Sequence, residues 1–453
     1  MKINSPFTIV RADVILSSIS SEDLSVDIKN NIMEVKLYES LYKPYVDVKL
    51  VLLDDFGFRT SLSAQGTERI LISIGDADNS SAPLFEKYFF ISSILDSKRI
   101  NERSEVLSLE LVEEHFYVNS VKQISRSFTS KIEDMVKEVC ENELKKPVAQ
   151  SFFSSSAQGI RKIIVPYMNP LQAVNWMLNR ATTRTGSPIF LSADLYSNAL
   201  YLSDLDSLLQ EPILNEDYPY RYSSASKGAN DKDALIGPYY NVESYREVNA
   251  ENTLRLFETG SVGSFYENID AGTGRAMGSH LSVRSILTEM YASGMIDGAT
   301  TQSIFDPSLV IDGKLSDEYN SHHTHQVTSS NTYNQYLSYH DEATLLDENG
   351  DIFESKLKAK NKIIRQLLKK NVIDVSLDGI SLFQGKISTG RKVRILFLNS
   401  DMQTEGKTAA ESIDKRKSGD YLILAISHKL VNDNHDASMR VTKLGDLPKN
   451  FKI

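Results

Sequence analysis

The chain has 453 residues, too many for one ordinary core, and at roughly 150 residues per domain it predicts about three domains. Apolar residues make up 41% and charged residues 24%, near globular averages, which excludes wholesale disorder. The net charge of -10 argues against nucleic-acid binding as the main role, because a phosphate-gripping surface needs excess Lys and Arg.

A single cysteine, Cys140, excludes an intramolecular disulfide framework and a cysteine-based zinc site. Its setting, Met135-Val136-Lys137-Glu138-Val139-Cys140, is that of a small residue on a helix. The first ten residues include Lys2, Asn4, Ser5 and Pro6 and hold no apolar block of signal-peptide length. No stretch approaches the length of a membrane-spanning helix. The expectation is a protein made and folded in the cytoplasm.

Residues 1–118 read as β-structure. Segment 33–39 alternates polar and apolar residues, and 46–53 begins the same way before the turn signal Asp54-Asp55-Phe56-Gly57. Segments 69–74, 88–94 and 106–111 complete a set whose spacing suggests a barrel or sandwich. The character then changes. Ser130-Lys131-Ile132-Glu133 has the form of a capping box, and Ile132, Met135, Val136, Val139 and Leu144 repeat at helical spacing until Pro147. A second helix is signed by Asn169 as cap, Pro170 in the first turn, and an apolar face of Leu171, Val174, Met177, Leu178 and Ala181. Trp176 on that helix reads as core. Strands follow at 189–194 and 199–202, so 119–236 is an α/β connecting region, irregular beyond residue 203.

Segment 242–257 looks extended. Beyond Arg284 the chain is helical or loose, with a polar stretch from His322 to Asn334. A basic helix spans 355–370, with Ile363, Leu367 and Leu368 as its apolar edge. From Val372 to Leu444 the pattern is β again. Its three segments, 392–397, 419–427 and 437–444, match 69–74, 86–94 and 106–111 in order and texture. Two similar β domains in one chain let a trimer form a ring of six similar units, matching a six-fold partner on one face and a three-fold partner on the other.

Candidate chemistry is sparse. His322, His323 and His325, with His340 and Asp341 beyond, form the best metal candidate by spacing, but they lie in a loop-like Ser, Asn, Thr and Gln context. Gly272-Thr273-Gly274-Arg275-Ala276-Met277-Gly278 mimics a dinucleotide loop with its third glycine one place late, and a glycine-rich hairpin fits better. Asp347-Glu348-Asn349-Gly350-Asp351 lacks the ligand order of a calcium loop and reads as a turn. The acid pairs Asp54-Asp55 and Glu113-Glu114 are defined only by sequence adjacency. The tyrosines Tyr218, Tyr220, Tyr222, Tyr239 and Tyr240 either line a groove or staple an irregular loop. No catalytic, cofactor or metal site is assigned.

Three segments carry a family likeness. Tyr38-Glu39-Ser40-Leu41-Tyr42 leads through Pro44 into 48–54; Asn169-Pro170-Leu171-Gln172-Ala173-Val174 leads to Ile189-Phe190-Leu191; and Gly390-Arg391-Lys392-Val393-Arg394-Ile395 is followed by Gly419-Asp420-Tyr421-Leu422-Ile423. In this pattern, which covers most of its length, the chain resembles the central baseplate hub proteins of contractile-tailed bacteriophages. The resemblance implies a multidomain α+β fold: a first antiparallel β-barrel tube domain at 1–118, an α/β connecting domain at 119–236, a second tube domain at 237–272 and 371–453, and a mostly helical or irregular insertion at 273–370. It implies a structural homotrimer, not an enzyme, in the virion baseplate. Its partners would be the tail tube protein, a separate trimeric spike protein and baseplate wedge proteins. DNA would pass through without specific binding, and the acidic net charge suits such a bore, with the basic helix outside it. A hub or tube initiator of another contractile injection system is an alternative that shares the ring. A tail-associated cell-wall or polysaccharide hydrolase is an alternative of a different class, requiring a paired-carboxylate or metal site in a cleft.

Overall fold

A computed structural model describes residues 6–16, 24–58, 68–76, 83–154, 156, 160–222, 240–248, 253–270, 276–296, 310–319, 323–328, 353–398, 413–414, 416–431, 434–443 and 445. The chain opens with seven strands: β1 (Phe7–Leu16), β2 (Leu24–Asp27), β3 (Ile32–Ser40), β4 (Asp47–Asp54), β5 (Arg69–Asp76), β6 (Phe85–Arg99) and β7 (Glu105–Glu113). Their neighbour order is β3-β4-β7-β6-β5-β1-β2, antiparallel throughout. The period-two pattern does the expected work on β4, where Val48, Leu50 and Leu52 are fully buried while Lys49 faces solvent. β5 is buried along nearly its whole length, as its unbroken Ile-Leu-Ile run requires.

Helix α1 (Glu114–Val121) follows directly on β7, where β-structure was expected up to residue 118. Its buried residues are His115 and Asn119, both polar, so hydrophobic periodicity carried no signal for it. The connecting region then contains β8 (Ile124–Ser130), α2 (Ile132–Glu143), β9 (Val148–Phe152), β10 (Arg161–Met168), α3 (Pro170–Leu178), β11 (Ile189–Ala193), β12 (Leu200–Asp204) and α4 (Leu205–Gln210). β8 pairs with β10, and β11-β12-β9 forms a separate small sheet. Helix α2 buries Ile132, Met135, Val136, Val139 and Cys140, as its spacing predicts. Its capping box does not form. Ser130 ends β8 and its hydroxyl donates to Lys131 O (3.4 Å), while Glu133 is turned inward to accept from Ser156 Oγ (2.5 Å). Asn169 caps α3 as expected: its backbone N–H donates to Gln172 Oε1 (3.4 Å). Its side-chain amide donates to Asn119 O (2.7 Å) and Lys122 O (3.1 Å), tying α3 to the end of α1. Trp176 packs partly buried against the core, with the Arg180 guanidinium 3.9 Å from its ring centre.

The remaining elements are β13 (Tyr220–Tyr222), β14 (Val242–Glu247), α5 (Thr253–Glu258), β15 (Gly263–Asp270), β16 (Ala276–Ser282), α6 (Val283–Ala292), β17 (Val310–Ile311), β18 (Lys314–Leu315), β19 (His323–Thr328), α7 (Phe353–Lys370), β20 (Val372–Asp378), α8 (Ile380–Gln384), β21 (Lys392–Phe397), β22 (Gly419–Val431) and β23 (Asn434–Thr442). The extended segment expected at 242–257 ends at β14; α5 follows and buries Leu256. β15 lies between β16 (antiparallel) and β19 (parallel), apart from the main sheet. The expected basic helix is α7, and Ile363, Leu367 and Leu368 are its buried edge.

The multidomain, mostly antiparallel α+β character agrees with the sequence, but the expected barrels do not appear. Thirteen of the described strands build one open sheet, the others lie in small separate sheets, and no sheet among the described residues closes. The reason lies in β22. Its edge takes β21 as far as Leu422 and then takes β3 from Ala425 to Leu430, so the N-terminal strands join the C-terminal ones edge to edge. The two halves share a strand order: β3-β4-β7-β6-β5 corresponds to β14-β20-β23-β22-β21. They also share β-bulges, at Ile32/Glu34 and Val242/Ser244, and at Ile91/Ser93 and Ile423/Ala425. The Asn169→Ala variant is expected to lose about 1–2 kcal/mol of stability through the side-chain bonds to Asn119 O and Lys122 O that it removes, read as a lower urea midpoint.

Candidate functional site at the seam of the sheet

The seam is an antiparallel ladder in which Val35, Lys36, Leu37, Tyr38, Glu39 and Ser40 face Leu430, Lys429, His428, Ser427, Ile426 and Ala425. Leu41 N–H adds a bond to Leu424 O at 2.8 Å. Lys429 stands across from Lys36, and the like charges are relieved diagonally, where Lys429 Nζ reaches Glu34 Oε2 at 3.2 Å.

One aromatic residue locks the seam from within. Phe383 on α8 meets Phe7 edge-on at 5.5 Å and Phe85 at 6.4 Å, both from the first half of the sheet. Its other face lies over His435 (4.0 Å) and His428 (4.5 Å). The two histidine rings share a hydrogen bond, His428 Nδ1 to His435 Nε2, at 3.1 Å. Burial pushes both imidazoles down, His435 to about 3 and His428 well below the ordinary range, with the neighbouring ring adding to the shift in His428. Gly379 approaches so closely that a Cβ there would sit 2.2 Å from His435 Nε2. Glycine is therefore dictated by contact with the ring rather than by its backbone angles.

A second cluster lies where β3, β6 and β7 meet the connecting region. Glu39, on β3, is 1% exposed, and its carboxylate accepts from Leu195 N–H at 3.3 Å. Burial first, then Asp194, pushes this carboxyl well above the usual range. Glu113, at the end of β7, behaves oppositely. Burial alone would raise it, but Lys87, His115 and Lys146 together hold it below the usual carboxylate range. Lys87 Nζ lies 3.2 Å and Lys146 Nζ 3.5 Å from Glu113 Oε1, and Lys87 also donates to Asp194 O at 2.5 Å. Val46 N–H donates to Glu113 Oε2 (3.0 Å), and His115 Nε2 lies 2.6 Å from Pro44 O. A cavity of about 550 Å³ opens beside these groups, lined among others by Lys87, Tyr88, Glu113, His115, Lys146 and Tyr196. Both carboxylates are engaged in joining β3, β7 and the connecting region, which is a structural arrangement.

The sequence candidates are dispersed. His323 and His325 lie on β19, whereas His322, His340, Asp341 and Asp347 to Asp351 fall outside the described residues. Among the described residues no three His, Cys, Asp or Glu side chains gather as a metal site. Of the Gly272 to Gly278 segment, Gly272 to Arg275 fall outside the described residues; Ala276, Met277 and Gly278 lie on β16, antiparallel to β15, where Gly278 pairs with Glu267, so this end of the segment is strand and not the start of a helix. Asp54 caps the turn after β4, accepting from Gly57 N–H (2.8 Å) and Phe58 N–H (2.7 Å), while Asp55 accepts from Asn31 Nδ2 (2.6 Å). Glu113 belongs to the lysine cluster and Glu114 starts α1. Tyr218 and Tyr240 stack at 5.6 Å, Tyr220 is buried with its hydroxyl 3.1 Å from Ser381 Oγ, and Tyr222 meets Tyr245 at 4.8 Å. These tyrosines staple the irregular segment to the second half of the sheet; Tyr239 is outside the described residues. The histidine pair went unnoticed in the sequence because its partners come from two strands and a helix.

Known structures share this architecture. A tail protein from Neisseria meningitidis MC58 is 12% identical, with 96% of each chain covered and a TM-score of 0.52. The 43 kDa tail protein of prophage MuSo2 from Shewanella oneidensis is 8% identical over 95% of this chain and 98% of its own, at a TM-score of 0.49. The chain shares the fold of the Neisseria meningitidis tail protein. No protein-family model matches it, and no curated protein does. No helix among the described residues is long and apolar enough to cross a membrane.

Two outcomes follow from the buried groups. In the folded chain both seam histidines stay neutral far below the pH at which they protonate when unfolded, about 6.5. The unfolded state then binds more protons, so their contribution is complete above that pH and is lost as pH falls toward about 3. The urea midpoint is expected to drop between about pH 7 and pH 5, and His435→Gln to flatten that drop. Glu113→Gln leaves Lys87 and Lys146 without their counter-charge and is expected to cost about 3–5 kcal/mol, measured by equilibrium unfolding; a Lys87→Met change in the same chain should recover part of it.

Proposed function

We propose that this protein is the structural hub of a phage baseplate, a homotrimer that joins a hexameric tail tube to a trimeric spike and lets DNA pass. The observation that carries this reading is the edge-to-edge union of two half-sheets with the same strand order and bulges at matching places. We take the halves as duplicated tube domains, at 1–118 and at 237–272 with 371–453. The connecting domain at 119–236 and the insertion at 273–370 then stand outside the ring. Three such chains present six similar units to a six-fold tube, while the trimer itself matches a three-fold spike. The likeness of fold to a tail protein from Neisseria meningitidis supports a place in a tail.

The partners under this reading are two further copies of the chain, the tail tube protein, a separate spike protein and baseplate wedge proteins. Its place is the virion baseplate, after assembly in the host cytoplasm. The net charge of -10 suits a bore that DNA slides through without sticking, and α7, with its lysines, belongs outside that bore. A hub of another contractile injection system would be built in the same way. The hydrolase reading gains nothing from the split carboxylates, because Glu39 and Glu113 are buried at 1% and 3% exposure, with Glu113 held between two lysines.

The test is mass in solution. The 50.8 kDa chain is expected at about three times that mass, and electron microscopy should show a ring with a negatively charged bore. A monomer with an open acidic cleft, or a ring with a strongly positive bore, would overturn the reading.

A further inference from the structure

The two halves can be laid on one another strand by strand, and the comparison exposes an imbalance. In the second half, β22 gives the first part of its edge to β21 and the rest, Ala425 to Leu430, to β3. In the first half, β6 gives the first part of the same edge, Phe85 to Phe90, to β5. Beyond Ser92, β6 keeps β7 on one side, but no strand among the described residues pairs with its other edge, and Leu95, Asp96, Ser97, Lys98 and Arg99 are exposed. The imbalance has a counterpart. β3 is the outermost strand of the first half and is covered by β22; β14 holds the same place in the second half and, apart from an isolated bridge between Asn241 and Arg221, no strand among the described residues covers its outer edge. One chain thus carries one complete seam and both separated halves of another.

From this we infer that β14 of one copy pairs with the distal part of β6 of the next copy, repeating between chains the ladder that joins β3 to β22 within a chain. The inference rests on the trimeric-ring reading and supplies its interface.

The register follows from the pairings. Across β4 and β20, Val35, Lys36 and Leu37 occupy the places of Tyr245, Arg246 and Glu247. Across β7 and β23, with one extra bulge at Leu95, Ser97, Lys98 and Arg99 occupy the places of His428, Lys429 and Leu430. The internal seam pairs Leu37 with His428, Lys36 with Lys429 and Val35 with Leu430. Between chains, Glu247 therefore faces Ser97, Arg246 faces Lys98, and Tyr245 faces Arg99. Lys98 across from Arg246 repeats Lys429 across from Lys36, which the internal seam already tolerates.

The charges agree with this register. On one face, Arg99 is diagonal to Glu247, which within its own chain pairs with Lys417 at 2.9 Å; on the other, Asp96 is diagonal to Arg246, which pairs with Asp374 at 3.0 Å, so each contact between chains extends an existing ion pair. Diagonal neighbours on a sheet are within reach of long side chains, as Lys429 and Glu34 demonstrate in the internal seam. A slip by one residue would move each charge to the opposite face and leave these pairs unmade. The contact is heterologous, edge to a different edge, which is the kind that closes into a ring.

The experiment is disulfide trapping in the full-length chain. Cys140 is buried and its thiol is pushed up to about 12, so it stays inert to oxidation. Ser97→Cys combined with Glu247→Cys is expected to give covalent two- and three-chain species under mild oxidation. The off-register pair Ser97→Cys with Arg246→Cys, and each single variant, should remain one chain. Lys36→Cys with Lys429→Cys is the internal control and should close within one chain. In addition, Arg99→Glu and Glu247→Arg should each shift the native mass toward a single chain, and their combination should restore the trimer. A trimer in which the 97/247 pair fails to cross-link, or links no better than the 97/246 pair, overturns this interface and leaves the hub reading standing. A chain that stays monomeric overturns both.

Discussion

Six residue pairs between β3 and β22 decide the shape of this protein. Edge strands present unpaired backbone donors and acceptors, and a sheet either closes, covers its edges or leaves them open. By giving Ala425 to Leu430 on β22's edge to β3, the chain takes up the outermost strand of its first half and makes one continuous sheet from segments nearly 400 residues apart (Ser40 and Leu424 are bonded across 384 positions). The connecting region comes between the joined halves in sequence, and the β15-β16-β19 sheet comes within the second half, between β14 and β20; neither interrupts the ladder.

A joint between units normally slides or opens unless its interface is large and apolar. Here Phe383 and Leu430 from the second half belong to the hydrophobic core of the first, so the joint is part of a core rather than a contact between two cores. The polar groups beside it are placed to hold rather than to react. The lysines Lys87 and Lys146 neutralise Glu113, and Lys87 also reaches the backbone of Asp194, connecting β6, β7 and the connecting region through one carboxylate. Such a cluster costs desolvation, but it fixes orientation wherever removing one partner leaves the others stranded. The stacked histidines act in the same way: buried and neutral, they bond to each other and fill the space left by Gly379.

Much of this architecture was legible in the sequence because it rests on local periodicity. Segments 69–74 and 392–397 fall on strands, 437–444 does so as far as Thr442, α2 and α3 start within a residue of their expected positions, and α7 buries the apolar edge read from Ile363, Leu367 and Leu368. Similarity between 69–111 and 392–444 was visible as texture, and the strand order agrees with it. What the sequence concealed was non-local. Nothing in Val35 to Ser40 says that its partner is Ala425 to Leu430, so separate barrels were the natural expectation where an open joined sheet stands. Helix α1 was hidden because it buries His115 and Asn119, and the Ser130 cap failed because Glu133 found a better buried partner in Ser156. The histidine pair combines residues from β22 and β23 under a ring from α8, a juxtaposition that only the register creates.

The edges that remain open also carry an argument about specificity. β14 presents Glu243, Arg246 and Glu247 to solvent, and distal β6 presents Asp96, Lys98 and Arg99. Charged side chains along an edge discourage indiscriminate strand addition, because most incoming strands would strand a charge or face a like one. The same charges cease to be a barrier for the one strand whose own charges answer them diagonally. A protein with two complementary edges and a seam already built to the same geometry can therefore stay apart from other sheets and still recognise a copy of itself. The protection and the recognition are then the same set of residues, and the internal seam, which could not slip without stranding Lys429, shows how that recognition selects a single register.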